Sequence, residues 1–590
     1  MESTEVRMNC KVIAALVAVV GLSLSASATI YTFPTAGGDL SSPAAWGGTR
    51  PTAADGVNID QAGTYTLSEN VSFSNLSVKA SGCIFNFGNY KMTLKDSTNT
   101  SGSGLFVSPG DNARTVFSGG TYDLLKTTCA IAAYNVKNAN TVFTNGCIVT
   151  NAYQFQAGRY NSGARTEIAG NAKVYATTGV LGYDQGAKDN TLEIYDGGQL
   201  HVSGALYGDI NGTENAYGGH RLFVHGPGSA VYHMNSNLAQ LGFRAHSIKS
   251  RISDFGLFSS ANGGLSMARG NNSFLIDSGA TGILYRVRYA SAGNSLIVSN
   301  ATFTCRNEFS LGYSGESCSN NLFRAYGADT KLTFPSGDLF SSREKTNSFC
   351  TVSLEGGVKW NCGSRNFMMA RTHHSTFQLV GAGTTLYSTN ASSGWFYIGD
   401  KDITGTIYSI SNRFAILDGA MFKANRIHLM GIDNELCVSN ATLHLIDDTT
   451  GLRIGWGGSS TNATLVLQGE TPKVRSEAAA NHNGCAFNCG SKLRFEIPEQ
   501  GYAKGYVPFE VSCPFAFDGA TCKLEIDCDD FVAKTGGKLH LIHAYSINDT
   551  TATRMRNTCT LPEGCELIIS GGDVYIKSKV KNRGFAIIYR

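Results

Sequence analysis

Acidic runs and soft ligands mark the places where this 590-residue chain could do chemistry. Asp527-Cys528-Asp529-Asp530 gathers hard oxygen ligands of the kind that hold Ca²⁺, although a solvated turn explains the same run. Asp447-Asp448 is a second acidic pair. Paired carboxylates hydrolyse glycosides only when suitably separated, and adjacent residues of a strand point to opposite faces, so a turn fits it better. His482-x-x-Cys485-x-x-x-Cys489, completed by Cys513, offers the ligand types of a tetrahedral zinc site, but lacks the paired CxxC regularity of a strong zinc motif. His220, His225 and His233, and His373-His374 beside Arg371, have no Ser or Cys in a nucleophile elbow nearby and read as surface histidines. No catalytic residue, metal ligand or cofactor is assigned from these groups.

Aromatic residues make the stronger case for binding. Trp395, Trp456 and Tyr313 fall at or near a recurring corner phrase, and flat sugar faces stack on such rings. These three are the expected ligand-binding residues. The competing explanation is that the rings stack on one another along the molecule.

The elements that would position them are repeats. Leu296-Ile297-Val298-Ser299-Asn300-Ala301-Thr302-Phe303 recurs as Leu436-Cys437-Val438-Ser439-Asn440-Ala441-Thr442-Leu443, and more loosely at 193–200, 275–282, 352–359 and 415–422. Apolar residues two apart send alternate side chains to one face of a strand, and the Asn or Gly marks a residue that takes positive φ at low cost. The Asn-Ala-Thr sites at Asn300, Asn440 and Asn462 match a glycosylation acceptor, yet the repeat itself asks for Asn there. A second phrase, seen at Leu181-Gly182-Tyr183, Leu241-Gly242-Phe243, Leu311-Gly312-Tyr313, Ile398-Gly399-Asp400 and Ile454-Gly455-Trp456, reads as another corner of the same coil. Spacings vary from coil to coil, which a stacked β-helix tolerates by bulging loops and a propeller does not. The expected fold is all-β: a right-handed parallel β-helix with a small β-rich C-terminal cap. No sustained helical period appears after the N-terminus.

Composition agrees. There are 68 glycines and 11 prolines, charged residues make up 16%, and the formal net charge is +3, too weak a field to grip phosphates, so nucleic acid is not an expected partner. Arg7 and Lys11 precede an apolar run, Val12 to Leu24, that ends in Ala26-Ser27-Ala28, the layout of a secretory signal. The expectation is cleavage after Ala28, with Met1 or Met8 as the start, and a secreted, cell-surface or periplasmic chain without a further membrane span. Of 16 cysteines, losing Cys10 leaves an odd number. Cys305/Cys318, Cys350/Cys362, Cys522/Cys528 and Cys559/Cys565 are disulfide candidates by proximity, and burial as small hydrophobes is the alternative, Cys437 being an example. The domain reading is 1–28 signal peptide, 29–64 N-terminal cap, 65–492 β-helix repeats and 493–590 C-terminal β-rich cap.

Trp46-Gly47-Gly48 with Pro51 and Asp55-Gly56-Val57, the Val-Ser-Asn-Ala-Thr phrases, and Gly537-Lys538-Leu539-His540-Leu541-Ile542 together resemble secreted bacterial β-helix proteins of the autotransporter-passenger and autotransporter-associated β-strand repeat type. The resemblance implies a surface or secreted solenoid with a structural or adhesive role. Nothing near the C-terminus is long enough for a translocating barrel, which departs from that pattern. The expected function is that of an exported non-enzymatic β-solenoid with a structural or adhesive surface role, glycan binding being one form of it and polysaccharide or cell-surface and matrix components its candidate partners; the oligomeric state is not readable. The alternative is a carbohydrate-active enzyme, a polysaccharide lyase or glycoside hydrolase, on a pectin-lyase-like β-helix.

Overall fold

The structure, a computed structural model, describes residues 29–95, 103–131, 136–159, 162–183, 186–209, 218–241, 246–312, 318–334, 339–342, 347–362, 367–368, 372–388, 395–399, 409–446, 451–455, 460–477, 484–528 and 537–578. The expected signal peptide therefore lies outside the described residues, as do Tyr313, Trp456, Arg371, His482, Asp447, Asp448, Asp529 and Asp530.

One coil illustrates the plan. Ser273–Asp277 lies on a first sheet, Thr281–Leu284 on a second and Val287–Tyr289 on a third. The next coil pairs with it in parallel: Phe274 opposes Leu296, Leu284 opposes Cys305, and Val287 opposes Phe309. Repetition of this step joins 54 strands of the described residues into one continuous hydrogen-bonded array. Parallel β-helix architecture is thus the fold, and every coil adds its own slice of core.

Alternation explains which side chains go in. Phe274, Ile276, Leu284, Val287 and Tyr289 are all buried in the coil interior, while Leu275 and Ile283 between them face outward. Like residues stack on like: Tyr65, Phe85, Phe117 and Phe143 form a file with ring centroids 5.0–5.3 Å apart. Cys437 is a small buried hydrophobe, as expected, but not part of the main interior. It lies on the outward side of its strand, packed with Ala415 and Val466 in a small cluster separate from the main core.

The first repeated phrase is the corner between the first and second sheets. Asn300 and Asn440 take left-handed φ there, 46° and 49°, whereas Asn462, with φ 55°, lies at a different corner, just ahead of the first-sheet strand Thr464–Gln468. Gly327 occupies the equivalent corner one coil later, where φ is 94° and an added Cβ would collide with Asn300 Oδ1. Asn and Gly thus serve both the turn and the close stacking of coils. The second phrase ends third-sheet strands, as at Phe309–Gly312 and Leu452–Ile454.

A third periodic feature escapes the phrase analysis. Just before the first-sheet strands, buried asparagines form a ladder: Asn272 Oδ1 accepts from Ile248 N at 2.9 Å, Asn294 Oδ1 from Asn272 N at 3.0 Å, and Asn321 Oδ1 from Asn294 N at 2.9 Å. Asn412 and Asn434 repeat the contact further along, and Ser375 Oγ substitutes for the amide under Cys350 N. Each side chain satisfies a backbone N–H that the corner would otherwise bury unpaired.

The end of the array breaks the pattern. Lys538–Ala544 adds in parallel to Phe509–Val511, then pairs antiparallel with Asp573–Ser578, which pairs with Cys565–Ser570. An α-helix, Asp549–Thr558, abuts the last third-sheet strand: Thr551 Oγ1 accepts from Phe517 N, and Arg554 Nη1 donates to Phe517 O. The cap is otherwise built of strands, in keeping with the expected β-rich end, and the helix is an addition that the sequence reading did not contain. Its only apolar residues are Ala552 and Met555, both buried, too few to show a helical period. Covering these strand ends removes an edge that would recruit another chain.

Candidate functional site

The outward row of the first sheet carries a recurring ion pair between consecutive coils. Arg251 meets Asp277 at 2.9 Å, Arg324 meets Glu355 at 2.6 Å, Arg413 meets Glu435 at 3.0 Å and Arg494 meets Glu525 at 2.7 Å. Burial pushes the Glu355 carboxyl up, but hydrogen bonds from Arg324 and Ser353 bring it below its ordinary value.

The row is richest on the strands Arg165–Ile168 and Thr191–Ile194. Glu167 and Glu193 are direct cross-strand partners there, a like-charge juxtaposition that costs stability unless compensated. Arg165 bridges them, its Nε lying 3.3 Å from Glu167 Oε1 and 2.9 Å from Glu193 Oε2. Asn140 Nδ2 donates to Glu167 Oε1 at 2.9 Å, Tyr195 Oη donates to Glu167 Oε2 at 2.5 Å, and His225 Nε2 lies 2.9 Å from Glu193 Oε1. Burial first, and the bond to Glu167 second, push the Tyr195 hydroxyl up to about 12, so it remains a donor. All four carboxylate oxygens are therefore engaged. Such a cluster holds two coils together; a general acid or base needs an oxygen aimed at a substrate.

The third sheet offers a different surface. Its polar row runs Tyr207, Gln240, Ser266, Arg288, Ser310 through register partners on successive coils, Tyr207 and Gln240 half-buried and Ser266, Arg288 and Ser310 buried. Beside it lies a groove of about 430 Å³ lined by Tyr207, Asn237, Gln240, Arg286 and Arg288. Glu308 fixes the Arg288 guanidinium at 2.8 Å. A ring, amides and guanidinium donors without a free carboxylate make a binding surface for hydroxyl or anionic groups.

Trp395 opens the third-sheet strand Trp395–Ile398, where it is the register partner of Arg426; its side chain, like Tyr313 and Trp456, lies outside the described residues. In sequence, Tyr313 and Trp456 directly follow Gly312 and Gly455. Elsewhere on the surface, rings do stack on one another: His201 lies between Tyr175 and Tyr232, with centroids 4.5 and 4.7 Å away.

The histidines correct their sequence reading. His220 and His233 are buried, not superficial: His220 Nδ1 accepts from Asn190 N in the ladder, and His233 bonds Ser260 Oγ and Gly204 O. Only His225 of the three faces outward, on Glu193. Residues close in sequence land on different faces because one coil turns through three sheets. The same geometry separates the near cysteine pairs, which are not bridged: Cys305 Sγ lies 3.3 Å from Glu308 O, and Cys318 Sγ 3.4 Å from Tyr289 O. Cys485 and Cys513, 28 residues and one coil apart, approach to 3.9 Å instead. Of the candidate zinc ligands this pair alone comes together among the described residues, since Cys489, at a left-handed corner, joins no converging group of three there.

Glu167 and Glu193 were invisible as a pair because strands of different coils bring them together. Among the described residues no helix is long and apolar enough to cross a membrane. Comparison of the chain with protein-family models, with curated proteins and with solved structures finds no match. The class the fold defines is that of parallel β-solenoids.

Proposed function

We propose that this chain is an exported, non-enzymatic β-solenoid with a structural or adhesive surface role, binding a glycan along its third sheet. The supporting observation is the third-sheet groove, where Tyr207, Asn237, Gln240 and Arg286 from successive coils line one concave surface. A polymer of repeating sugars suits a surface repeated at the strand spacing of about 4.8 Å. The full engagement of Glu167 and Glu193 speaks against acid–base hydrolysis by that pair; Glu496 and Asp527 are a second pair of carboxylates in register on the same sheet.

The test is a glycan and polysaccharide panel with the purified protein, reading both retention and release of reducing or unsaturated ends. Retention without product, weakened by Arg288→Ala or Tyr207→Ala, is expected. Product release abolished by Glu167→Gln or Glu193→Gln would establish the enzyme instead.

A further inference from the structure

The C-terminal cap contains the one group of histidine and carboxylate side chains among the described residues whose ligand atoms converge: His540, His543 and Asp573, all within 4.8 Å of one another. In a regular strand, residues three apart face opposite sides. Here the register slips between His540 and Ile542, so that His540 opposes Tyr575 and His543 opposes Asp573. Leu541 is the extra residue of a β-bulge, Leu541 and Ile542 are consecutively buried, and both histidines emerge on the outer face.

The chemistry at that face is specific. Asp573 Oδ1 lies 2.9 Å from His540 Nε2 and 2.7 Å from His543 Nδ1. The Ile542 carbonyl, at the bulge, is 2.8 Å from the same His540 nitrogen. Tyr575 holds the His540 ring by stacking at 4.3 Å. Glu510, the register partner of His543 on the adjoining strand, is a second carboxylate beside the cluster, engaged by Lys473 Nζ at 2.5 Å.

We infer that His540, His543 and Asp573 form a binding site for a late first-row divalent cation such as Zn²⁺, with open positions left for water or a partner's ligand. Two imidazoles and a carboxylate are ligands of this class, and side chains 22%, 54% and 31% exposed leave access from solvent. Coordination bonds of about 2.0–2.2 Å require the present contacts to open by only about half an ångström, within reach of side-chain rotation. The cation would take the place of the protons now shared between the ring nitrogens and Asp573. This site is independent of the glycan reading, since it lies on the cap and not on the third sheet.

The experiment is titration of the full chain with Co²⁺ under reducing conditions, followed by displacement with Zn²⁺. One equivalent should bind, with visible d–d bands and no thiolate charge-transfer band. His543→Ala, at an exposed position, should leave the far-UV spectrum and melting profile of the metal-free protein unchanged and weaken Co²⁺ binding at least ~10-fold; Asp573→Asn should do the same. Absence of binding, a thiolate band, or equal affinity in the wild type and both variants would overturn the site.

Discussion

The central coils and the C-terminal cap solve opposite problems. Between residues 246 and 312 every strand has a parallel neighbour, the interior is filled by the same kinds of side chain in file, and the asparagine ladder meets the buried backbone N–H groups ahead of the first-sheet strands. In the cap the pairing turns antiparallel, a bulge re-aims two histidines, and the helix Asp549–Thr558 covers a strand end. Repetition constrains each coil to resemble its neighbours, whereas termination releases that constraint. The cap is where side chains of unlike chemistry can converge, and the stack is where like ones must accumulate.

Changes in the stack should therefore act on stability and leave the cap's chemistry alone. The largest effect is expected at Phe414, stacked on Phe377 at 4.6 Å: Phe414→Ala should cost about 3–5 kcal/mol and speed amide exchange in the coils on either side, with the cap's exchange little changed. Uniform acceleration from end to end would show that stack and cap unfold as one unit.

Next comes the ladder. Asn294→Ala removes the acceptor for the buried Asn272 N–H and should cost about 1–3 kcal/mol by denaturant titration. Asn294→Ser should recover part of that, since Ser375 does the same work under Cys350. Equal losses for both variants would mean that packing volume, not the hydrogen bond, is what counts.

The smallest effect belongs to the surface ion pairs. Arg324→Ala should change stability by no more than ~1 kcal/mol, because the Arg324 side chain is 44% exposed and solvent screens its pairing with Glu355. A larger loss, shrinking in high salt, would promote the charge row to a structural role equal to the ladder.

Some of this organisation was legible in the residues. Asn300 and Asn440 announce their corners, because few side chains accept left-handed φ, and Leu296-Ile297-Val298 alternates as a half-buried strand must. The ladder also has a signature, an Asn just ahead of many first-sheet strands, as in Asn272-Ser273-Phe274 and Asn434-Glu435-Leu436, but it passes for ordinary turn punctuation until burial is known. The cap histidines carried a fainter one: two apolar residues, Leu541 and Ile542, interrupt the alternation between them.

The sequence by itself determined the strand character, the corners and the repeated stacking, because those follow from local conformational preference and period-two hydrophobicity. Only the tertiary structure decided which polar groups meet. Glu167 finds Glu193 and His543 finds Asp573 across strands 26 and 30 residues apart, and the length of the intervening coil in the first case, and of the helix and antiparallel hairpin in the second, sets that register. No local preference encodes it.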